Sequence, residues 1–441
     1  MGGKVVKPPP LSGKFEGSFA YITLRDRLPK ILTKVIDVTH RKRQEVALIS
    51  EKSNGMEVVK NVIGLLSDLR SRLLTDKPLT EIKGSRSDVA KWNEALQLQR
   101  LSLRNEQPRW YNVAWLFVEC YFYRKIFEAF NENLYPNCWD PFAYQKSQTL
   151  NDNLSTIRSL CSYFLSELQK LVLNEHMVNH DEKLAVVETL IQLSLWGNEC
   201  DLSISEGQKS VSSLLLSQLK SRQQMLVVNQ LSSFMMWMRA MTDGQPLNRV
   251  DIVLDNCGLE LVTDLCLADY LIESDMAKVV HFHAKSFPYF VSDVTMPDFT
   301  NTLKTLGSHS DEILSNVAEH WKKLLDSKQF VLHTHDFWTL PYPYCEMKKV
   351  AAELFEELAL SNLVVFKGDL NYRKLLSDLQ WPVSTSFEDS LLGFRPSSLL
   401  SLRTLKADLI CGMDEEEAMH LTAVDKNWML TGKYGLIQFL S

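Results

Sequence analysis

The spacing of apolar and polar positions divides the chain into two textures. Residues 1–14 read as a flexible tail around the triplet Pro8 to Pro10. From residue 15 to about 241 the spacing is helical: Leu28, Ile31, Leu32, Val35 and Ile36 recur at i, i+3, i+4, as do Val58, Val62, Leu65 and Leu69. Residues 115–130 are aromatic and apolar on most sides, which predicts a helix buried inside a bundle. The run Thr242-Asp-Gly-Gln-Pro-Leu-Asn248 is a loop by composition and ends this region. From 249 to 441 short apolar runs alternate with helical periodicity. Strands are expected at 251–254, 278–283, 329–332, 363–366, 407–411 and 435–439, with helices such as 259–272, 310–325 and 347–360 between them. Strand and helix in alternation predict an α/β fold: a doubly wound, mostly parallel sheet in three α/β/α layers, preceded by a helical N-terminal domain.

Composition narrows the function classes. The chain has 441 residues, 45% hydrophobic and 23% charged, with a net charge of −6, so no basic field points to nucleic acid or to an anionic membrane. The eight cysteines form no C-x-x-C pair and read as reduced thiols of a cytoplasmic or nuclear protein. No stretch has the length of a membrane span, and the N-terminus lacks an apolar leader. Gly2 invites a myristoylation reading, but Val6 stands where Ser or Thr is required.

Ligands of open parallel sheets bind beyond the carboxyl ends of the strands, so the polar residues after each apolar run are the candidates for chemistry. Asp255 and Asn256 follow Val253-Leu254, and Asp293 follows Phe290-Val291. Lys367, Gly368, Asp369 and Asn371 follow the run ending at Phe366. This set is rich in hard oxygen donors and suits Mg²⁺ or Mn²⁺ better than structural zinc. A divalent cation with Lys and Arg beside it is the equipment for a phosphate ester. The alternative is that both Asp residues merely cap the following helices. His176 and His180 share a helical spacing in a polar stretch, while His281 with His283 and His333 with His335 alternate along strands. Solvated or buried imidazoles account for all of them better than a second metal site.

The segments LDNCGLE (254–260), FVSDVTMPDF (290–299), FKGDLNYRKL (366–375) and RTLKAD (403–408) occur in that order. With WLFVECYFYRKI (115–126), LWGNECDLS (195–203) and GKYGLIQF (432–439), they closely resemble the damage-control phosphatase family, in the branch that includes the acidic residue methyltransferase-like proteins. The resemblance runs from about Phe19 to the C-terminus. It implies a metal-dependent phosphatase of small phosphorylated sugars, notably fructose 1-phosphate and fructose 6-phosphate. It further implies Mn²⁺ or Ni²⁺, with Co²⁺ or Mg²⁺ as alternatives, on Asp255, Asn256 and Asp293. By the same resemblance Lys367 holds the phosphoryl group, making Asp255, Asp293 and Lys367 the catalytic set. Glu260, Gly368, Asp369, Asn371, Arg403 and Lys406 line the substrate pocket, and Asn198 and Asp201 reach it from the helical domain. The alternative function is carboxyl methylation of protein glutamates with S-adenosyl-L-methionine, an activity attributed to the vertebrate branch. The crevice motif offers only Gly258 for the glycine-rich turn usual in nucleotide sites. A non-catalytic scaffold is a third reading, and it leaves the strand-end polar set unexplained.

Overall fold

The computed structural model describes residues 6–50, 54–135, 138–173, 178–197 and 211–441. Its sheet is built from β1 (Leu226–Asn229), β2 (Val250–Val253), β3 (Val280–Ala284), β4 (Phe330–Thr334), β5 (Leu363–Lys367), β6 (Ser398–Thr404) and β7 (Gly435–Leu440). The spatial order is β1-β7-β6-β5-β2-β3-β4, and every neighbouring pair is parallel except β6 with β7. Strands β2 and β5 are buried along their whole length, as expected where helices cover both faces. The one charge inside β2, Asp251, is met by Arg249 Nε at 2.7 Å and His283 Nε2 at 2.6 Å.

Alternate strand residues feed two cores. Val250, Ile252, Leu363, Val365, Leu400 and Leu402 share one with the helices Leu154–Leu173, His180–Trp196 and Leu259–Glu273. Val253, Val364, Phe366, Leu399 and Leu436 share the other with the helices Leu28–Arg41, Gly55–Leu74 and Trp115–Asn131. Each fully buried Leu or Phe contributes about 1.5–3 kcal/mol, so the two layers are what hold the sheet in place between them. Helices from before residue 241 thus share both cores with helices from after it.

Three expectations need correction. Residues 407–411 are not a strand; β6 lies earlier, and this buried loop keeps its carbonyls satisfied through the Arg403 guanidinium, which donates to Ala407 O and Leu409 O. Strand β1 falls inside the region read as helical, because four residues are too few to break a 3.6-residue period. The tail read as flexible is tied down from Pro9 onward: Leu11 N donates to Asp378 O, Gln380 N to Pro9 O and Trp115 N to Leu11 O. No described helix is long and apolar enough to cross a membrane.

Strand order reverses at β2. From it the chain steps through β3 to β4 on one side, and returns through β5 to β6 on the other. The crevice at such a switch point opens beyond the carboxyl ends of β2 and β5, where LDN and KGD lie.

Candidate active site at the sheet switch point

Three oxygen-bearing side chains converge there. Asp255 follows the end of β2, and its backbone oxygen accepts from Val294 N at 2.8 Å, while Asn256 pairs with Asp293 in an isolated antiparallel bridge. Asn256 is held firmly: Nδ2 donates to Asp255 Oδ2 at 2.7 Å and to Glu260 Oε2 at 2.9 Å, and Oδ1 accepts from Ser292 Oγ at 2.5 Å. Asp293 Oδ2 is buried without a hydrogen bond; Lys285 Nζ stands 3.2 Å away as an ion pair only. After this loop Thr295 and Asp298 cap the helix Met296–Gly307 reciprocally, which fixes where Asp293 emerges.

The local backbone is forced into this arrangement. Phe290 and Val291 have φ of +42° and +72°, and a β-branched residue in that region is costly, on the order of 1–3 kcal/mol. The stacking of Phe290 on Tyr123, ring centres 4.5 Å apart, helps to hold the turn. Gly368 has φ +80°, and a Cβ there would overlap the Asp255 carboxyl group, so only glycine lets β5 run this close to Asp255.

Around the acids lies a connected polar frame. Lys367 Nζ is buried and donates to Ser194 O at 2.7 Å, Asp264 Oδ1 at 2.9 Å and Glu260 Oε1 at 3.1 Å. Burial alone would lower the pKa of this ammonium, but Asp264 and Glu260 outweigh it and raise it, while burial pushes Asp264 up to about 6. Asp369 Oδ1 accepts from Arg403 Nε at 2.8 Å and from Lys406 N at 3.2 Å; burial opposes its ionisation, but Arg403 wins and lowers its pKa. Arg373 is clamped between Glu119 at 2.6 Å and Asp378 at 2.8 Å, over the ring of Trp115 at 3.6 Å.

These groups surround a cavity of about 120 Å³ lined by Asp255, Asn256, Asp293, Asp369, Lys406 and Arg27, with Ser292, Phe290 and Arg373 among its other walls. The Lys406 and Arg27 side chains make no hydrogen bond or salt bridge to the described residues. Burial, then the negative charges of Glu260 and Asp293, pushes the Asp255 carboxyl well above its ordinary range; burial also raises Asp293, against the pull of Lys285. Two buried carboxylates that repel each other, one with an unbonded oxygen, and a neutral amide oxygen alongside form a donor set that fits a hard divalent cation.

Of the residues expected at the site, Asp255, Asn256, Asp293, Asp369 and Lys406 line this cavity. Gly368 packs on Asp255, and Glu260 touches Asn256. Lys367, Asn371 and Arg403 do not line it. Asn371 Nδ2 bonds Lys367 O at 2.7 Å and reaches Val253 O at 3.3 Å, joining the ends of β5 and β2. Asn198 and Asp201 lie outside the described residues, as does His176. His281 and His333 bond each other at 2.9 Å away from the cavity. Sequence reasoning missed Arg27, Glu119 and Arg373; a glutamate inside the apolar helix Trp115–Asn131 was the available signal for Glu119. A separate group, Asp269, Glu273 and His320, has ligand-like proximity but is already paired internally, His320 Nε2 lying 3.0 Å from Asp269 and 3.5 Å from Glu273.

With this geometry in hand, comparison with known proteins is informative. The family described as "Damage-control phosphatase ARMT1-like domain" matches residues 23–421. The mouse protein named Damage-control phosphatase ARMT1 is 43% identical over 97% of this chain and 98% of its own length. The zebrafish protein of that name is 42% identical over 99% and 98%, and the human one 39% identical over 98% and 99%. A match across nearly the full length of both partners, together with the strand-end acids at the switch point, means that the chain belongs to the ARMT1-like damage-control phosphatase family.

Proposed function

We propose that the chain is a metal-dependent phosphatase of small sugar phosphates such as fructose 1-phosphate and fructose 6-phosphate. The observation that carries the reading is the pairing of buried Asp255 and Asp293 with Asn256 in one cavity that also receives the uncommitted charges of Lys406 and Arg27. Asp255, Asn256 and Asp293 would hold the cation, Mn²⁺ or Ni²⁺ by the resemblance, with Co²⁺ or Mg²⁺ as alternatives. When bound, such an ion supplies Lewis-acid polarisation of a phosphoryl oxygen and orients the ester.

The protein's own groups do the rest. Lys406 and Arg27 meet the remaining phosphate charge; Arg27 can do so as a fork and Lys406 as a point charge. Asp369 holds Lys406 in place through its backbone N–H, and Arg403 fixes Asp369. Lys367, expected to bind phosphate directly, has three acceptors of its own, and we assign it the positioning of Glu260. Glu260 in turn orients Asn256 by accepting from its Nδ2.

Phosphate release from fructose 1-phosphate should require Mn²⁺ or Ni²⁺, stop on chelation and vanish in Asp255→Ala. Release that persists in either case overturns the reading. The same preparations given labelled S-adenosyl-L-methionine test the methyltransferase alternative: methyl transfer to a protein substrate that survives chelation and Asp293→Asn would favour it.

A further inference from the structure

The small cavity opens into a larger groove of about 780 Å³, and the two share Arg27, Phe290 and Ser292 as walls. A metal ion and one phosphoryl group suffice for the inner space, and a hexose needs only a fraction of the outer one. One side of the groove is the helix Leu28–Arg41 with the turn before it, and it presents Arg27, Lys30 and Lys34. Positions 30 and 34 are one turn apart on the same face, and Lys34 lies about 10 Å along the axis from Arg27 at 1.5 Å per residue. All three are exposed, and none makes a hydrogen bond or salt bridge to a described residue. The carboxylates on this wall are spoken for: Asp26 pairs with Arg25 at 2.7 Å and Asp37 with Arg41 at 3.0 Å. Lys30 also lies near enough to Asp26 to lower its pKa, so the groove's charge without an ion-pair partner is positive and continues along Lys30 and Lys34 beyond the reacting centre. The facing wall offers neutral hydrogen-bonding groups, Gln145 and Gln148, beside Tyr144.

We propose that this groove binds a second phosphate of the substrate, so that the chain acts on sugar bisphosphates, with one ester in the cavity and the other against Lys30 and Lys34. Two ammonium groups one turn apart match the near-double negative charge of a phosphomonoester better than the single charge of a carboxylate. The inference rests on the phosphatase reading above and names its substrate class. Hydrolysis at the inner end consumes one water, breaks one phosphorus–oxygen bond, and yields inorganic phosphate and a sugar monophosphate still held at its other end.

The test is steady-state phosphate release from fructose 1,6-bisphosphate and from fructose 1-phosphate, comparing the wild type with Lys30→Ala/Lys34→Ala and with Lys34→Glu. The expected result is a KM for the bisphosphate raised roughly tenfold in the double variant and further in the charge reversal, with kcat and the monophosphate KM unchanged. Equal changes for both substrates, or none for either, overturn the proposal. If the wild type releases phosphate from neither compound with any divalent ion, the phosphatase reading itself fails. The groove is then judged by calorimetric titration with fructose 1,6-bisphosphate: binding about tenfold weaker in the double variant sustains it, and equal binding overturns it.

Discussion

At the scale of single residues, the site brings two buried carboxyl groups, Asp255 and Asp293, within mutual repulsion. In metal-free protein Asp255→Asn should raise the melting temperature by a few degrees, because it removes one of two buried carboxylates that repel each other. If the site holds a cation as proposed, Mn²⁺ should stabilise the wild type and not this variant; thermal melts with and without Mn²⁺ measure both effects. Gly368→Ala should behave oppositely. Its added methyl group meets the Asp255 carboxyl at a φ that disfavours any side chain, so stability should fall by more than about 1 kcal/mol. Turnover should drop on the order of a hundredfold, since a small displacement of the acids is enough, and denaturant titration with phosphate release separates the two losses. The strand-end acids were legible in the sequence because an open parallel sheet leaves few other places for polar residues to converge. Arg27 was not legible: it lies more than two hundred residues from Asp255, on a helix whose periodicity says only which face is buried.

At the scale of elements, two clamps each tie neighbouring helices together on one face of the sheet. Arg373 joins the helix Gly368–Leu375 to Glu119 of the helix Trp115–Asn131. Arg373→Ala strands two buried carboxylates and should cost about 3–5 kcal/mol in urea unfolding. On the opposite face, His320 bridges the helices Glu312–Asp326 and Leu259–Glu273. Hydrogen bonds to Asp269 and Glu273 raise its pKa to about 10. A folded value above the unfolded one means that the imidazolium's contribution is complete below about pH 6.5 and is lost as pH rises toward 10. The melting-temperature difference between the wild type and His320→Gln should therefore be largest near pH 6 and shrink on the alkaline side. Periodicity predicted most of these helices and the interior strands, whose apolar runs are continuous. It failed at residues 407–411, where an apolar run is buried as a loop because Arg403 satisfies its carbonyls, something no pattern of hydrophobicity records.

At the scale of the whole molecule, the sheet binds distant parts of the sequence to one another. Pro9 and Leu11 are hydrogen-bonded to Gln380 and Asp378, so deletion of residues 1–12 should lower the melting temperature by several degrees, and a thermal scan of the truncated protein measures it. Sequence texture divides the chain into a helical first part and a strand-and-helix second part; it could not reveal that helices of the first part share both cores with a sheet whose strands all lie between residues 226 and 440. The pairing of β1 with β7 has a consequence for how the protein is born. Phe439 N donates to the Gln230 side chain across 209 residues, and Gln230 N to Ile437 O, so this edge of the sheet cannot close until the final strand has left the ribosome. Closure of this edge is therefore a late, long-range step of folding, expected to be slower than the packing of the local helices.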